Sequence, residues 1–426
     1  MGFKQEKFKR LIEHKSGYTW SKDQELDKPE PGTVRVLTVT NIQEKLDLTS
    51  ELYLKDVKEK DKIEKSVSKD WAIAVSSNGN RKRIGNAIFI NDDTDYLFAS
   101  FLTAFKPKAD ADITPEYFYQ WFTSHVVQER ITSVSEGTTG LGNLDIRYLR
   151  NMDIEYPDNE QEQKAIALIL HKVDAAILAA ENSIKSADKL KKGIMQNLLT
   201  GKLKTDGTLR TDEEFYKHEK FGNCPVGWHW GRLSEIADVI AGQSPSGEYY
   251  NEDGIGTAML NGPTEFTDLH PIPVQYTIKV TKLCAVGDIL FTVRGSSTGR
   301  MNIADQEYCI GRGIAAIRAK EGCDTDFIYY TLITISEKIL AEAKGAGTTF
   351  PNVSRGELLK KWILIPDTDQ TEIASKIKSV DAFLKEKQKK VATIQRLKKS
   401  LMQNLLTGKV SVDVNKIEKL LANAAI

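Results

Sequence analysis

Apolar residues recur at alternating four- and three-residue intervals along two long stretches of the chain. The first set is Ile166, Leu170, Val173, Ile177, Ala180, Ile184, Ala187, Leu190, Ile194 and Leu198. Adding 207 to each number gives a second set, in which only Lys387 is not apolar. This spacing predicts two long helices, each of which carries one narrow apolar seam.

The two predicted helices end in almost the same sequence. LKKGIMQNLLTGK occupies Leu190–Lys202, and LKKSLMQNLLTGK occupies Leu397–Lys409. Gly201 and Gly408 stand where a C-terminal cap is expected. Each helix should contain roughly 38 residues and be about 57 Å long. Because a helix of that length with a single apolar stripe needs a partner helix, we expect the two copies to pack as an antiparallel coiled coil.

Polar residues are repeated together with the apolar ones. Gln163 and Asp174 recur as Gln370 and Asp381. Since packing alone does not require polar identity, we expect both helix ends to meet the same external partner. The residues predicted to bind it are Met195, Gln196, Asn197, Leu198 and Leu199 in the first copy and Met402, Gln403, Asn404, Leu405 and Leu406 in the second.

The segments that precede the helices are also related, although more weakly. EGTTGLGNLDIRYLRNMDIEYP precedes the first helix and GAGTTFPNVSRGELLKKWILIP the second. Further upstream, DWAIAVSSNGNRKRIGNAIFI and GDILFTVRGSSTGRMNIA both predict a strand, a polar loop and another strand. We therefore predict an α+β fold with a pseudo-twofold internal repeat. Its predicted parts are a first head (1–155), a first helix (156–204), a linker (205–222), a second head (223–364), a second helix (365–410) and a tail (411–426).

Composition excludes several classes of protein. The chain has 426 residues, 40% of them hydrophobic and 28% charged, with a formal net charge of zero. These values are typical of a globular protein, and no apolar run has the length of a membrane span. Four cysteines without a CxxC pair indicate neither a disulfide framework nor a zinc site. We expect a reducing, cytoplasmic location and no cofactor or metal.

The chain resembles the specificity subunits of type I restriction–modification systems. PDNEQEQKAI and PDTDQTEI, the two MQNLLTGK endings, and GDILFTVRGSSTG, CIGRGIAAIRA and FGNCPVGWHWGRLSEIADVIAGQSP carry the resemblance. It implies two target-recognition domains separated by the helices, each reading one half of a split double-stranded DNA site. It also implies two methyltransferase subunits docked on the helices, with restriction subunits outside them.

The residues themselves offer candidates for contacting DNA, because base reading uses Arg, Lys, Asn, Ser and Thr side chains delivered into a groove. The candidates in the first head are Ser76, Ser77, Asn78, Asn80, Arg81, Lys82, Arg83, Thr138, Thr139 and Asn143. Those in the second head are Arg294, Ser296, Ser297, Thr298, Arg300, Thr348, Thr349 and Asn352. We expect at least one arginine of each loop, Arg81 or Arg83 in the first and Arg294 or Arg300 in the second, to contact a base edge. Either loop taken alone is equally compatible with a solvated hairpin.

Four motifs resemble catalytic or nucleotide-binding sequences, but the residues around each motif do not suit that function. Ser297 lies in a G-x-S-x-G pattern, but all six histidines precede it in the chain. The G-x-G-x-x-A from Gly311 is followed by a predicted strand, not a Rossmann helix. The nuclease-like PDNEQEQK loses its ExK in the second copy, and TGK at Thr200–Lys202 lacks the glycine of a phosphate loop. We therefore expect a non-catalytic subunit. The alternative function is a two-headed adaptor that does not bind DNA.

Overall fold

The computed structural model describes residues 2–43, 45–135, 141–344, 351–417 and Lys419. The chain forms two compact units, of which unit 1 contains two separate segments of the sequence and unit 2 a single continuous one. Unit 1 contains the described residues up to Glu181 together with those from Lys389 onward, and unit 2 contains Asn182–Gln388. Each unit therefore holds one head, the beginning of one long helix and the end of the other.

Unit 1 is built from two sheets, two strand pairs and short helices. The strands, in spatial order, are Glu25–Leu26, Tyr53–Leu54, Val34–Leu37, Tyr96–Phe98 and Ser66–Val67 in one sheet and Ile12–Ser16, Leu102–Pro107, Ala72–Val75 and Ala87–Phe89 in the other. The pairs are Phe3–Lys7 with Asp153–Pro157 and Ser77–Asn78 with Gly142–Asn143. The helices of the head are Phe8–Leu11, Glu59–Lys65, Pro115–Phe122, His125–Val134 and Ile146–Asn151.

Unit 2 has two four-stranded sheets. One runs Ala237–Ala241, Ile314–Ala319, Ile289–Thr292 and Met301–Ile303, and the other Tyr250–Asn251, Gln275–Thr277, Thr257–Leu260 and Cys309–Ile310. Two strand pairs are Phe215–His218 with Gly222–Pro225 and Trp228–Arg232 with Trp362–Pro366. The helices of this head are Leu233–Ile236, Thr325–Lys344 and Arg355–Leu359.

The two heads share their internal topology despite their different sequences. In the first head, Tyr96–Phe98 pairs in parallel with Val34–Leu37. In the second, Cys309–Ile310 pairs in parallel with Thr257–Leu260. All other named strand pairs are antiparallel within the described residues. The predicted mixed heads and internal repeat are therefore present in the fold.

The long helices run Glu160–Leu199 and Gln370–Leu405, with 40 and 36 residues. Within unit 1 their segments run antiparallel, because an ion pair joins Asp174 to Lys398 at 2.5 Å and the Gln395 amide donates to the Glu181 carboxylate at 3.0 Å. In unit 2, the equivalent ion pair joins Lys191 to Asp381. The repeated aspartates therefore form the same interhelical ion pair in each unit.

This ion pair corrects one detail of the predicted seam. Leu190 and Leu397 were placed in it, but their exposed fractions are 62% and 53%. The neighbouring Lys191 and Lys398 turn toward the sister helix instead and meet the aspartates. An ideal helix drifts relative to a strict heptad repeat, so a seam read from spacing alone can miss by one residue. Two equivalent leucines are consequently left at the surface.

The apolar residues of the repeated ends lie in the cores of the units. Met402, Leu405 and Leu406 pack in the core of unit 1, which also contains Ile166 and Leu170. In the equivalent place in unit 2, the core contains Met195, Leu198, Leu199, Ile373 and Ile377. These six Met and Leu side chains were predicted to bind a partner. That prediction must be revised, because side chains packed in the protein's own core offer a partner no surface.

Both helix ends use their other repeated residues in the same way. Gly201 and Gly408 adopt positive φ angles of 67° and 68°. A Cβ at either position would also clash, with Pro225 at 2.4 Å or with Phe3 at 2.7 Å. The Thr200 hydroxyl donates to the Gln196 carbonyl at 2.8 Å, and the Thr407 hydroxyl makes the matching bond to Gln403 at 2.6 Å. Helix termination thus accounts for the repeated Thr-Gly pair.

The beginnings of the helices are attached to the heads by repeated glutamines. The Gln163 side chain accepts from the Thr114 backbone amide at 2.8 Å, just before the head helix Pro115–Phe122. The Gln370 side chain accepts from the Asp324 amide at 3.0 Å, just before Thr325–Lys344. Since the first amides of a helix lack intrahelical partners, each glutamine joins a long helix to the start of a head helix.

No described helix has both the length and the apolar character needed to cross a membrane. All four cysteines are free thiols, and burial is the main cause that raises the pKa of the Cys284 thiol to about 11.

We predict that the buried and the exposed leucines of the repeat contribute differently to the stability of the protein. Leu198→Ala should lower the free energy of unfolding by about 2–5 kcal/mol, because it leaves a cavity in the core. Leu190→Ala, the matched control on the same helix, should change it by less than about 0.5 kcal/mol. Denaturant unfolding of both variants measures the difference. Equal losses would show that the buried face of the helix has been assigned wrongly.

Candidate nucleic-acid interface

The first-head loop (Ser76–Arg83) lies beside the segment that contains Asn143. Ser77 pairs with Asn143 and Asn78 with Gly142 in a short antiparallel ladder. The Leu144 amide donates to the Ser76 carbonyl at 2.8 Å. Residues predicted from two distant parts of the sequence are therefore brought onto neighbouring segments.

The second-head loop (Arg294–Arg300) has the same arrangement. Arg294 forms an antiparallel bridge with Asn352. The Val353 amide donates to the Val293 carbonyl at 2.9 Å, which matches the bond between Leu144 and Ser76. Ser77 and Arg294 thus occupy equivalent positions, each opposite an asparagine.

Each loop closes at a glycine with positive φ, Gly85 at 86° and Gly299 at 95°. The Gly85 amide donates to the Val75 carbonyl, and the Gly299 amide donates to the Thr292 carbonyl, both at 2.9 Å. Non-glycine residues rarely adopt this conformation. The hairpins consequently share a framework although they differ in length.

Several predicted residues hold the loops in shape. The Asn78 and Asn80 side chains accept backbone amides two residues further along, from Asn80 at 2.8 Å and Lys82 at 3.1 Å. Thr298 is buried, and its hydroxyl donates to the Gly295 carbonyl at 2.7 Å. Such local bonds form turns. The predicted Thr138, Thr139, Thr348 and Thr349 lie outside the described residues.

The predicted cations separate into two groups. Arg83 donates to the carbonyls of Val39 and Ile42 at 3.0 and 2.6 Å. Arg300 donates to those of Pro263 and Phe266 at 3.2 and 2.7 Å. The other three cations, Arg81, Lys82 and Arg294, are exposed, and no hydrogen bond or ion pair of their side chains is found within the part of the chain that the structure describes.

A third segment lies beside each loop, and sequence reasoning did not select it. The Ser76 amide donates to the Phe101 carbonyl at 2.8 Å, and the Val293 amide donates to the Gly313 carbonyl at 2.9 Å. In the second head this segment exposes Arg312, whose amide donates to the Ser244 hydroxyl at 3.1 Å. The Gly-Arg-Gly pattern in the sequence could have pointed to this segment, because two glycines that flank an arginine indicate a close backbone approach. In the structure, a Cβ at Gly311 or Gly313 would come within 2.5 Å of Asn261.

The predicted partner-binding amides are accessible to different degrees. Gln196 and Gln403 are exposed, whereas Asn197 and Asn404 are half-buried. Leu190 and Asn197 lie one heptad apart and so share a helix face, as Leu397 and Asn404 do in the second copy. Among the described residues there is no group of three or more His, Cys, Asp or Glu side chains that could hold a metal ion.

The chain is similar to known proteins over most of its length. Residues 2–187 and 225–396 match the family described as type I restriction modification DNA specificity domain. A putative type I restriction enzyme MjaX specificity subunit of Methanocaldococcus jannaschii is 31% identical over 91% of this chain and 89% of its own length. The MjaVIII specificity subunit of the same organism is 27% identical over 69% of this chain and 70% of its own length.

Two solved structures share the fold. One, from work on complex assembly and conformational transition of the type I restriction–modification system, has a TM-score of 0.58 at 19% identity and covers 96% of this chain and 98% of that chain. The S subunit of a type I system from M. genitalium has a TM-score of 0.57 at 16% identity, with 95% and 96% covered. With its two matched domains and two long helices, this chain belongs to the family of type I restriction–modification specificity subunits.

Proposed function

We propose that the chain reads a bipartite, asymmetric site in double-stranded DNA, with one half-site for each head. The observation that carries this proposal is the equivalence of Ser77 and Arg294, each paired with an asparagine on the neighbouring segment. The framework is the same in both heads, but a hydroxyl in one is replaced by a guanidinium in the other. Different side chains on one framework suit two different base sequences. Residues 1–155 and 223–364 are the proposed recognition domains.

We also propose that the chain contributes no catalytic residue and that partner subunits perform methylation and cleavage. Ser297, the nucleophile of the G-x-S-x-G pattern, lies in a hairpin loop between Ile289–Thr292 and Met301–Ile303, without the helix that a nucleophile elbow requires. Family membership leaves the two-headed adaptor without support.

The proposed partners are two methyltransferase subunits and, with them, restriction subunits. Because the apolar residues of the repeated ends are buried, the docking surface must use what the repeat leaves exposed. Leu190 with the half-buried Asn197, and Leu397 with the half-buried Asn404, share a helix face and are such residues. Two equal surfaces on one chain can bind two copies of one partner.

Exchange of the first head tests whether the two half-sites are read separately. Replacing 1–155 by the corresponding segment of another family member should change one half-site and leave the other intact. Mapping methylated sites with the reconstituted complex measures this. A simultaneous change in both half-sites would contradict the proposal.

Arg294→Ala tests the contribution of the second-head loop. Loss of a bidentate contact to a base should cost about 1–3 kcal/mol of discrimination at one position of the second half-site. Competition binding against single-base variants of the site measures the effect. Lys217→Ala, an exposed cation on the strand Phe215–His218, is the charge-matched control and should leave the site preference unchanged. Unaltered preference in Arg294→Ala would remove this arginine from base reading.

Leu190→Asp and Leu397→Asp test the docking surfaces. Each substitution places a charge on an exposed position, so folding should be retained while one partner subunit is lost. Native mass spectrometry of the complex should show two methyltransferase subunits falling to one in each single variant and to none in the double variant. Lys192→Asp, on the opposite side of the helix from Leu190, is the control. Retention of two subunits by the double variant would reject this surface.

A further inference from the structure

A backbone turn beside each loop is held by an arginine in the same way in both heads. The turn in the first head is 39–42 and that in the second head is 263–266. The Ile42 amide donates to the Val39 carbonyl at 3.3 Å, and the Phe266 amide donates to the Pro263 carbonyl at 3.2 Å. The first turn follows the strand Val34–Leu37, and the second follows Thr257–Leu260. Each of these strands pairs in parallel with a later strand of its head. The two turns are therefore structural equivalents.

The arginines reach these turns from different places in their loops. Arg83 lies two residues before Gly85, whereas Arg300 directly follows Gly299. Each nevertheless donates to the first and last carbonyls of its turn. Both heads keep this contact to the turn although the arginine that makes it occupies a different position in each loop. We therefore assign the contact a structural role of its own. It fastens the turn to the loop.

The second residue of each turn is an exposed threonine, Thr40 or Thr264, and the third, Asn41 or Glu265, is buried. In the second head, the Thr264 hydroxyl donates to the Glu265 carboxylate at 2.9 Å. Its proton is thereby engaged, and the outward-facing oxygen retains only acceptor lone pairs. Phosphate oxygens are themselves acceptors, so they do not suit this group. The exocyclic amino groups of adenine and cytosine, which are donors in the major groove, do suit it.

We infer that the turn 263–266 is a second base-reading segment of the second head. In it, Thr264 accepts a hydrogen bond from an adenine or cytosine amino group, and Arg300 is the positioning residue that holds the turn beside Arg294. This inference rests on the proposed function. In the first head, Arg83 positions Thr40 in the equivalent place.

Binding of single-base site variants by the reconstituted complex tests the inference. Thr264→Val removes the acceptor and keeps the shape, so preference should fall about tenfold at one base pair of the second half-site, within the usual cost of a mismatch. Thr264→Ser keeps the hydroxyl and should retain the preference. Replacing adenine at that position by 2-aminopurine, or cytosine by its analogue without the amino group, should reduce binding by the native protein but not by Thr264→Val.

Arg300→Ala should relax the same base pair as Thr264→Val, because it releases the turn, and the double variant should lose little more. Arg300→Lys, which can reach one carbonyl at a time, should be intermediate. The turn 263–266 contains no cation, so its displacement should leave the salt dependence of binding unchanged. If Arg300 itself contacted a phosphate, its removal would lower the salt slope, that is, the slope of log affinity against log salt concentration, by about 0.9.

Three outcomes would overturn the inference. They are an unchanged preference in Thr264→Val, an equal weakening of all sequences in that variant, and a lowered salt slope in Arg300→Ala. Preference at the first half-site serves as the internal control for folding and assembly. The failure of the proposed function looks different, because the native complex would then show no half-site that follows an exchanged head. Thr264 is exposed, so its variants decide the matter even if Arg300→Ala does not fold.

Discussion

The core of each unit depends on a helix end that lies far away in the sequence. Leu405 and Leu406 pack with the beginning of the first long helix, and Leu198 and Leu199 pack with the beginning of the second. Burial of such side chains contributes about 1.5–3 kcal/mol each. The core of unit 1 is therefore completed by a segment from the far end of the chain, and that of unit 2 by the end of the helix that precedes its head, so neither helix can end elsewhere without opening a core. This requirement, imposed on both units, accounts for the repeated Met and Leu residues of the identical MQNLLTGK endings, but not for the exposed Gln196 and Gln403.

The same reasoning separates the repeated residues by their tasks. Gln163 and Gln370 join the helices to the heads, and Asp174 and Asp381 pair with lysines of the sister helix. After these contacts are assigned, Leu190 and Leu397 are repeated without burial. An exposed leucine that occurs at both equivalent positions is not explained by the fold of either unit. It is the part of the repeat on which the proposed docking surface rests.

The sequence allowed the mixed heads, the long helices and the glycine caps to be predicted, because each depends on local periodicity or backbone conformation. It did not reveal that Leu190 leaves the seam, since a one-residue drift is decided by packing against the other helix. It also did not reveal the tasks of Arg83 and Arg300. Their carbonyl partners are more than thirty residues away, and a loop rich in Arg and Ser looks the same whether its cations point outward or inward. The sequence alone does not show which distant backbone carbonyls these arginines contact.

The two heads keep one framework while individual side chains on it differ. Positions that define the backbone, such as Gly85 and Gly299, keep the same conformation, and the arginine contact to the turn is kept even though its donor has moved. The equivalent positions Ser77, which is half-buried, and Arg294, which is exposed, carry different chemistry on that backbone. A side chain on an exposed hairpin can change at little cost in stability, whereas loss of a buried or backbone-fixing contact affects the whole head. Under the proposed function, new specificity arises by substitution at such equivalent positions, provided that the arginine still attaches the turn to the loop.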